Sequence, residues 1–129
     1  MALVHTCLRV FDVDRSVTFY AALGFGEVKR EAIGDEAINI HLGLEEDGIE
    51  PSLELTFNHG RTEPYDVGTG FGHIALTAPD LDGTLAKLAE QGIEPEVPPK
   101  SMSEGGTRLC FVRDPDGYRV ELLGRNVRA

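Results

Sequence analysis

Two stretches of this chain repeat one another, and the repeat restricts its fold more than any other feature. Identical residues recur 68 positions apart at His5 and His73, Leu8 and Leu76, Asp12 and Asp80, Asp14 and Asp82, Ala21 and Ala89, and Gly24 and Gly92. Apolar residues recur at the same spacing at Val17 and Leu85, Tyr20 and Leu88, and Phe25 and Ile93. Each copy closes on an apolar segment carrying one acid, Glu54 in Ser52–Phe57 and Glu121 in Arg119–Leu123. Two copies with a period longer than that of solenoid repeats describe a duplicated module, not an array.

Local signals give each copy the same order of elements. His5–Val10 alternates as a strand does. A helix follows from Asp14 to about Leu23, with Gly24 as its stop. Glu27–Ile33, Ala37–Leu44 and Ser52–Phe57 are strands, separated by Gly34-Asp35 and the acidic loop Glu45–Pro51. In the second copy Gly72–Thr77 is a strand and Asp82–Gln91 a helix ended by Gly92. A short extended piece near Pro95–Val97 and strands at Thr107–Arg113 and Tyr118–Leu123 complete it. Asp114-Pro115-Asp116-Gly117 is a turn, because proline presets φ and glycine accepts φ > 0. The segment 98–106 reads as a loop. The expected fold is α+β: two βαβββ modules, 1–60 and 72–129, joined by a linker at 61–71, each forming a curled mixed sheet.

Side chains alternate across a strand, so period-two reading assigns faces. His5, Cys7 and Arg9 share one face, opposite Thr6, Leu8 and Val10. Glu54, Thr56 and Asn58 share a face, as do His73, Ala75 and Thr77, and Arg119, Glu121 and Leu123. Each module therefore has one apolar sheet face for its helix and a second face bearing one histidine and one glutamate. Curling two such sheets would line a cup with His5, Glu54, His73 and Glu121. Two imidazoles and two carboxylates suit a first-row divalent cation and leave room for water or substrate oxygens.

Other residues are read more modestly. Arg9 and Asn58 share faces with His5 and Glu54 and could recognise carboxylate and amide groups of a substrate, or form a rim ion pair and a strand-end turn. Cys7 has Ala75 as its counterpart and reads as a small lining residue. Asp12, Asp14, Asp80 and Asp82 read as helix-start acids complementing the dipole. His41 and His59 are expected at the surface.

Charge and length exclude several classes. Twelve Lys and Arg against 22 Asp and Glu give a net of −10 over 129 residues. The basic residues, from Arg9 to Arg128, are scattered, so nucleic acid and anionic membrane are not expected as partners. The longest uncharged stretch, Val67–Pro79, is too short and too polar to span a bilayer. Residues 1–5 lack the basic-then-apolar pattern of a secretory leader. Cys7 and Cys110 read as reduced, buried thiols of a cytoplasmic protein.

Four motifs in order resemble the glyoxalase I (lactoylglutathione lyase) family of the vicinal oxygen chelate superfamily. They are His5–Val10 with Arg15–Tyr20 and Leu23–Phe25, then Leu53–Gly60, Gly70–Leu76 and Phe111–Leu122. The resemblance spans nearly the whole chain, and each motif contains one ligand-type residue. It implies metal ligands His5, Glu54, His73 and Glu121, with Arg9 and Asn58 holding the glutathione moiety. It implies isomerisation of the hemithioacetal of methylglyoxal and glutathione to S-D-lactoylglutathione through a metal-stabilised enediolate. The base that moves the proton is expected to be Glu121, with Glu54 the other candidate. It further implies a homodimer whose sites combine the N-terminal half of one subunit with the C-terminal half of the other. The compact chain resembles the bacterial subgroup that uses Ni(II) or Co(II), with Zn(II) the other candidate.

His59, Thr69 and the 98–106 loop depart from the family pattern and bear on which thiol is used; Lys100 in that loop reads as solvated. The competing readings are a coenzyme A thioester epimerase on the same scaffold and a non-catalytic binding protein of the bleomycin-resistance type. A ring-cleaving dioxygenase would normally present two His and one carboxylate, and Glu54 argues against it.

Overall fold

The structure is a computed structural model that describes residues 1–125. Residues 126–129, which include Arg128 and the end of the expected 72–129 module, lie outside the described residues. Two compact units are present, one spanning Met1–Asp66 and the other beginning at Val67.

In the first unit β1 (Thr6–Val10) leads into α1 (Val13–Ala22), followed by β2 (Phe25–Ile33), β3 (Ala37–Leu44) and β4 (Pro51–Asn58). The sheet order is β1-β4-β3-β2, with β1 parallel to β4 and the other pairs antiparallel. The second unit repeats this with β5 (His73–Thr77), α2 (Leu81–Glu90), β6 (Lys100–Ser101), β7 (Arg108–Arg113) and β8 (Arg119–Leu123). Its order is β5-β8-β7-β6, with β5 parallel to β8. Both sheets are mixed, and the fold is α+β. A parallel pair needs a crossover, and here helix and intervening strands supply it.

The apolar faces read from alternation are the buried ones. Leu8, Val10, Ile40, Leu42, Leu53 and Leu55 join Phe19 and Tyr20 of α1 in the first core. Tyr20 meets Phe25 edge-on at 5.7 Å between ring centres, tying the helix to the start of β2. In the second unit Leu81, Leu88, Cys110, Val112, Val120 and Leu122 play the same part. Burying each of these larger side chains favours folding by about 1.5–3 kcal/mol before entropy is counted.

Helix starts follow from the aspartates. Asp12 caps α1 by accepting from Arg15 N, and Asp80 caps α2 by accepting from Gly83 N, each at 3.1 Å. Both helices consequently begin one residue earlier than the sequence suggests. Gly24 and Gly92 follow the helix ends with φ of 98° and 77°, a region that glycine enters without a Cβ penalty.

One expected element is displaced. No strand forms at Pro95–Val97; the short strand β6 lies at Lys100–Ser101, inside the expected 98–106 loop. Pro95, Pro98 and Pro99 cannot donate to a ladder, so regular pairing with β7 starts only once they have passed. Glu96 still makes one backbone bond there, its N–H donating to Phe111 O at 2.9 Å. The 114–117 turn forms as read. Asp114 Oδ1 accepts from the N–H groups of Asp116 and Tyr118, both at 2.9 Å, and Gly117 takes a φ of 92°.

Candidate metal centre and substrate pocket

The parallel strand pair in each unit brings a histidine beside a glutamate. His5 immediately precedes β1, and the β1–β4 register sets Cys7 across from Glu54. His73 opens β5, and the β5–β8 register sets Ala75 across from Glu121. The two registers correspond residue for residue. His5 Nε2 lies 3.0 Å from Glu54 Oε2, and His73 Nε2 lies 2.9 Å from Glu121 Oε2. In both pairs the carboxylate is the more buried member, with side-chain exposures of 11% and 17% against 31% and 38% for the imidazoles. The imidazole is thus the more accessible partner in each.

The donor sets fit a divalent cation. The fit lies in the donor types, imidazole nitrogen and carboxylate oxygen, which suit first-row divalent ions. Each pair stands at ordinary hydrogen-bonding distance. Within either unit, among the described residues, no group of three or more His, Cys, Asp or Glu side chains is placed to hold a metal. Each unit thus offers a pair.

The surroundings of the pairs differ. In the first unit His41 on β3 faces Glu54 across the strands. The sequence reading put His41 at the surface; it is 8% exposed, because β3 is flanked by β2 and β4. Its Nδ1 stands 3.8 Å from Glu54 Oε2 and its Nε2 3.4 Å from Glu31 Oε2. Thr56 Oγ1 donates to Asn39 Oδ1 at 2.8 Å, and its distance to Glu54 Oε1 is 3.5 Å. Cys7 is exposed, not buried as expected, since it shares the polar face of β1; its Sγ lies 3.3 Å from Thr56 Oγ1. Cys110 is buried, and burial raises its thiol above the ordinary value. His59 is exposed, as read.

In the second unit Phe111 occupies the place of His41, facing Glu121 across the strands. Its ring meets His73 edge-on, with 5.1 Å between centres. The Arg119 guanidinium lies 4.1 Å above the same phenyl ring and donates twice to the Glu96 carboxylate, at 2.9 Å each. Arg113 Nε adds a contact at 3.1 Å. The hydrogen bonds from Arg119, and secondarily the charge of Arg113, hold the Glu96 carboxyl below the usual range.

Arg9 and Asn58 line one open cavity of about 410 Å³, together with His59, Gly60, Arg61 and Tyr65. Asn58 Nδ2 donates to Tyr65 Oη at 3.0 Å. The Arg61 guanidinium stacks 3.7 Å from the centre of the Tyr65 ring and donates to the carbonyls of Glu63 and Pro64. Sequence reasoning assigned Arg61 and Tyr65 to a linker and missed them. The available signal was an arginine and a tyrosine close behind Asn58 in a strongly acidic chain.

The model of the Glyoxalase/Bleomycin resistance protein/Dioxygenase superfamily matches residues 2–122, and the chain belongs to that family. Within it the likeness runs to lactoylglutathione lyase, glyoxalase I. A probable lactoylglutathione lyase of Synechocystis is 39% identical over 125 residues, covering 95% of each chain. The crystal structure of glyoxalase I from Zea mays superposes with a TM-score of 0.84 at 34% identity over 95% of this chain. This chain spans only 44% of the maize protein's length. The trypanothione-dependent glyoxalase I of Leishmania major gives a TM-score of 0.76 at 34% identity, covering 95% of this chain and 86% of that one.

Proposed function

We propose that this chain is a lactoylglutathione lyase that isomerises the hemithioacetal of methylglyoxal and glutathione to S-D-lactoylglutathione. The observation that carries the reading is the His–Glu contact repeated on matching strands of both units, at 3.0 and 2.9 Å. Its weight comes from the enzymes the chain resembles over nearly all its length. His5, Glu54, His73 and Glu121 would together hold one divalent cation, Ni(II) or Co(II) in preference to Zn(II). The homodimer implied by the family likeness would assemble each site from the N-terminal half of one subunit and the C-terminal half of the other. Two free thiols, Cys7 and Cys110, support a cytoplasmic setting.

The reaction moves two protons and no net electrons. The C1 hydrogen leaves as a proton, and its electron pair forms the C1–C2 double bond of the enediolate as the C2 oxygen takes the charge. A proton then adds to C2, the C1 hydroxyl releases its own proton to become the thioester carbonyl, and the C2 oxygen takes up a proton to become the product hydroxyl. A cation held by His5, Glu54, His73 and Glu121 would supply Lewis-acid stabilisation as negative charge develops on the substrate. Glu121 is the proposed base, taking the C1 proton and returning it to C2. Its surroundings support that choice over Glu54: Phe111, facing it across the strands, offers no side-chain donor. Arg9 and Asn58 would bind the glutathione moiety from the cavity they share, and Arg61 adds a second cation there for an anionic thiol. The modules at 1–60 and 72–129, joined through 61–71, are proposed to derive from one duplicated unit.

The test is thioester absorbance with methylglyoxal and glutathione, on metal-stripped protein and after adding Ni²⁺, Co²⁺ or Zn²⁺. Thioester should form only after cation is added, fastest with nickel or cobalt. No product with any of the three would overturn the assignment.

A further inference from the structure

His41 is polar in a place where the fold accepts a plain hydrocarbon ring. The β3–β4 register pairs His41 with Glu54, and the β7–β8 register pairs Phe111 with Glu121, so the two residues are counterparts. Burying an imidazole in place of a phenyl ring costs free energy unless its nitrogens find partners. Nε2 of His41 is buried without a hydrogen bond among the described residues, although Glu31 Oε2 stands 3.4 Å away. Nδ1 lies 3.8 Å from Glu54 Oε2, the same oxygen that His5 Nε2 approaches to 3.0 Å. The rings of His5 and His41 meet edge-on with 6.2 Å between centres. Thr56 has one hydroxyl proton, and the short bond to Asn39 takes it, which leaves Thr56 a weak restraint on Glu54. Core packing does not account for a histidine here; the carboxylate beside it does.

We infer that His41 is a positioning residue for Glu54. With Nδ1 3.8 Å from Glu54 Oε2 and Nε2 3.4 Å from Glu31 Oε2, its imidazole lies between the two carboxylates and limits, by packing and polarity, how Glu54 presents its oxygens to a divalent cation. Glu121, which faces Phe111, has no such guide. The inference rests on the reading of the His–Glu pairs as metal ligands. It assigns the two glutamates different mechanical characters: Glu54 is a restrained ligand, and Glu121 is a carboxylate with freedom to swing. Partners that orient a ligating group from behind typically contribute a factor of ~10–100 to metal affinity.

The experiment is a titration of the full-length, metal-stripped chain with Co²⁺ alone against a chelating indicator. Apo thermal unfolding and the cobalt visible spectrum are recorded alongside. His41→Phe should weaken cobalt binding by about 10–100-fold and shift the visible bands, while the apo protein unfolds at or above the parent temperature. His41→Gln, which keeps a polar group at the position, should recover part of the affinity and covers the case of a phenylalanine variant that fails to fold. Glu31→Gln should weaken binding in the same direction by a smaller factor. Parent-like affinity in His41→Phe or in His41→Gln and Glu31→Gln together, with binding lost in His5→Ala, overturns the positioning role alone. Undiminished binding in His5→Ala overturns the metal reading itself and this inference with it.

Discussion

His73 Nε2 and Glu121 Oε2 lie 2.9 Å apart, and the Phe111 ring meets that imidazole in a T-shaped contact. Among the described residues His73 is the side chain in ion-pair contact with Glu121, which leaves the carboxylate able to rotate toward a substrate carbon. Glu121→Gln keeps the shape and removes the basic oxygen. Turnover should fall by at least ~10²-fold, the contribution typical of a positioned base, with far-UV circular dichroism unchanged. Glu54→Gln should act chiefly through cation affinity, so excess metal should restore much of its rate. Near-parent turnover in the Glu121 variant would remove it as the base.

The histidines should control metal content. His5→Ala and His73→Ala each take one donor from a pair, and elemental analysis after dialysis should show sub-stoichiometric metal in both. Full stoichiometry in either variant would remove that residue from the ligand set.

Asn58 and Tyr65 share a hydrogen bond at the wall of the cavity that Arg9 lines. Tyr65→Phe breaks this bond and keeps the ring under Arg61. KM for the glutathione adduct should rise a few-fold with kcat little changed, because a neutral hydrogen bond contributes about 1 kcal/mol. Arg9→Ala should raise KM further, since charge-assisted contacts are stronger. A fall in kcat at constant KM would place both residues in the chemistry instead.

Asp114 is buried, and one of its oxygens receives two backbone N–H groups of the 114–118 turn. Asp114→Ala should lower stability by about 1 kcal/mol or more, because two half-buried N–H donors lose their acceptor. Chemical denaturation at neutral pH measures it.

Glu96 carries a depressed carboxyl value because Arg119, and to a lesser degree Arg113, stabilise its charged form. A depressed folded value contributes stability above the unfolded carboxylate value and loses it as pH falls through the folded one. The parent should therefore melt above Glu96→Gln at pH 7, and the gap should close on the acid side of the carboxylate range. The pair is largely exposed to solvent, so the difference should stay under ~1 kcal/mol. A gap that widens in acid would contradict this assignment of the charge.

Much of the architecture was legible because duplication supplies an internal control. Asp12 and Asp80 mark both helix starts, Gly24 and Gly92 mark both ends, and alternation separates Leu8 and Val10 from Arg9 and Cys7. Strand pairing was not legible. The burial of His41 and its pairing with Glu54 depend on the β3–β4 register, which no local pattern states. Tyr65 was missed for a related reason: its partner Asn58 lies at the end of a strand, and loop side chains fold back by contacts, not by periodicity. The displaced β6 shows three prolines overriding an apolar cue at Val97.

In each unit the first strand pairs with the last, so the chain closes on itself before its histidine can touch its glutamate. During synthesis the first unit has no His5–Glu54 contact until the ribosome has passed residue 54 and β4 has docked beside β1. Closing so long a segment is the slow, entropy-costly part of forming such a sheet. Under the proposed ligand set, cation capture would therefore have to wait for that pairing, and a probe at His5 would report that the last strand has arrived.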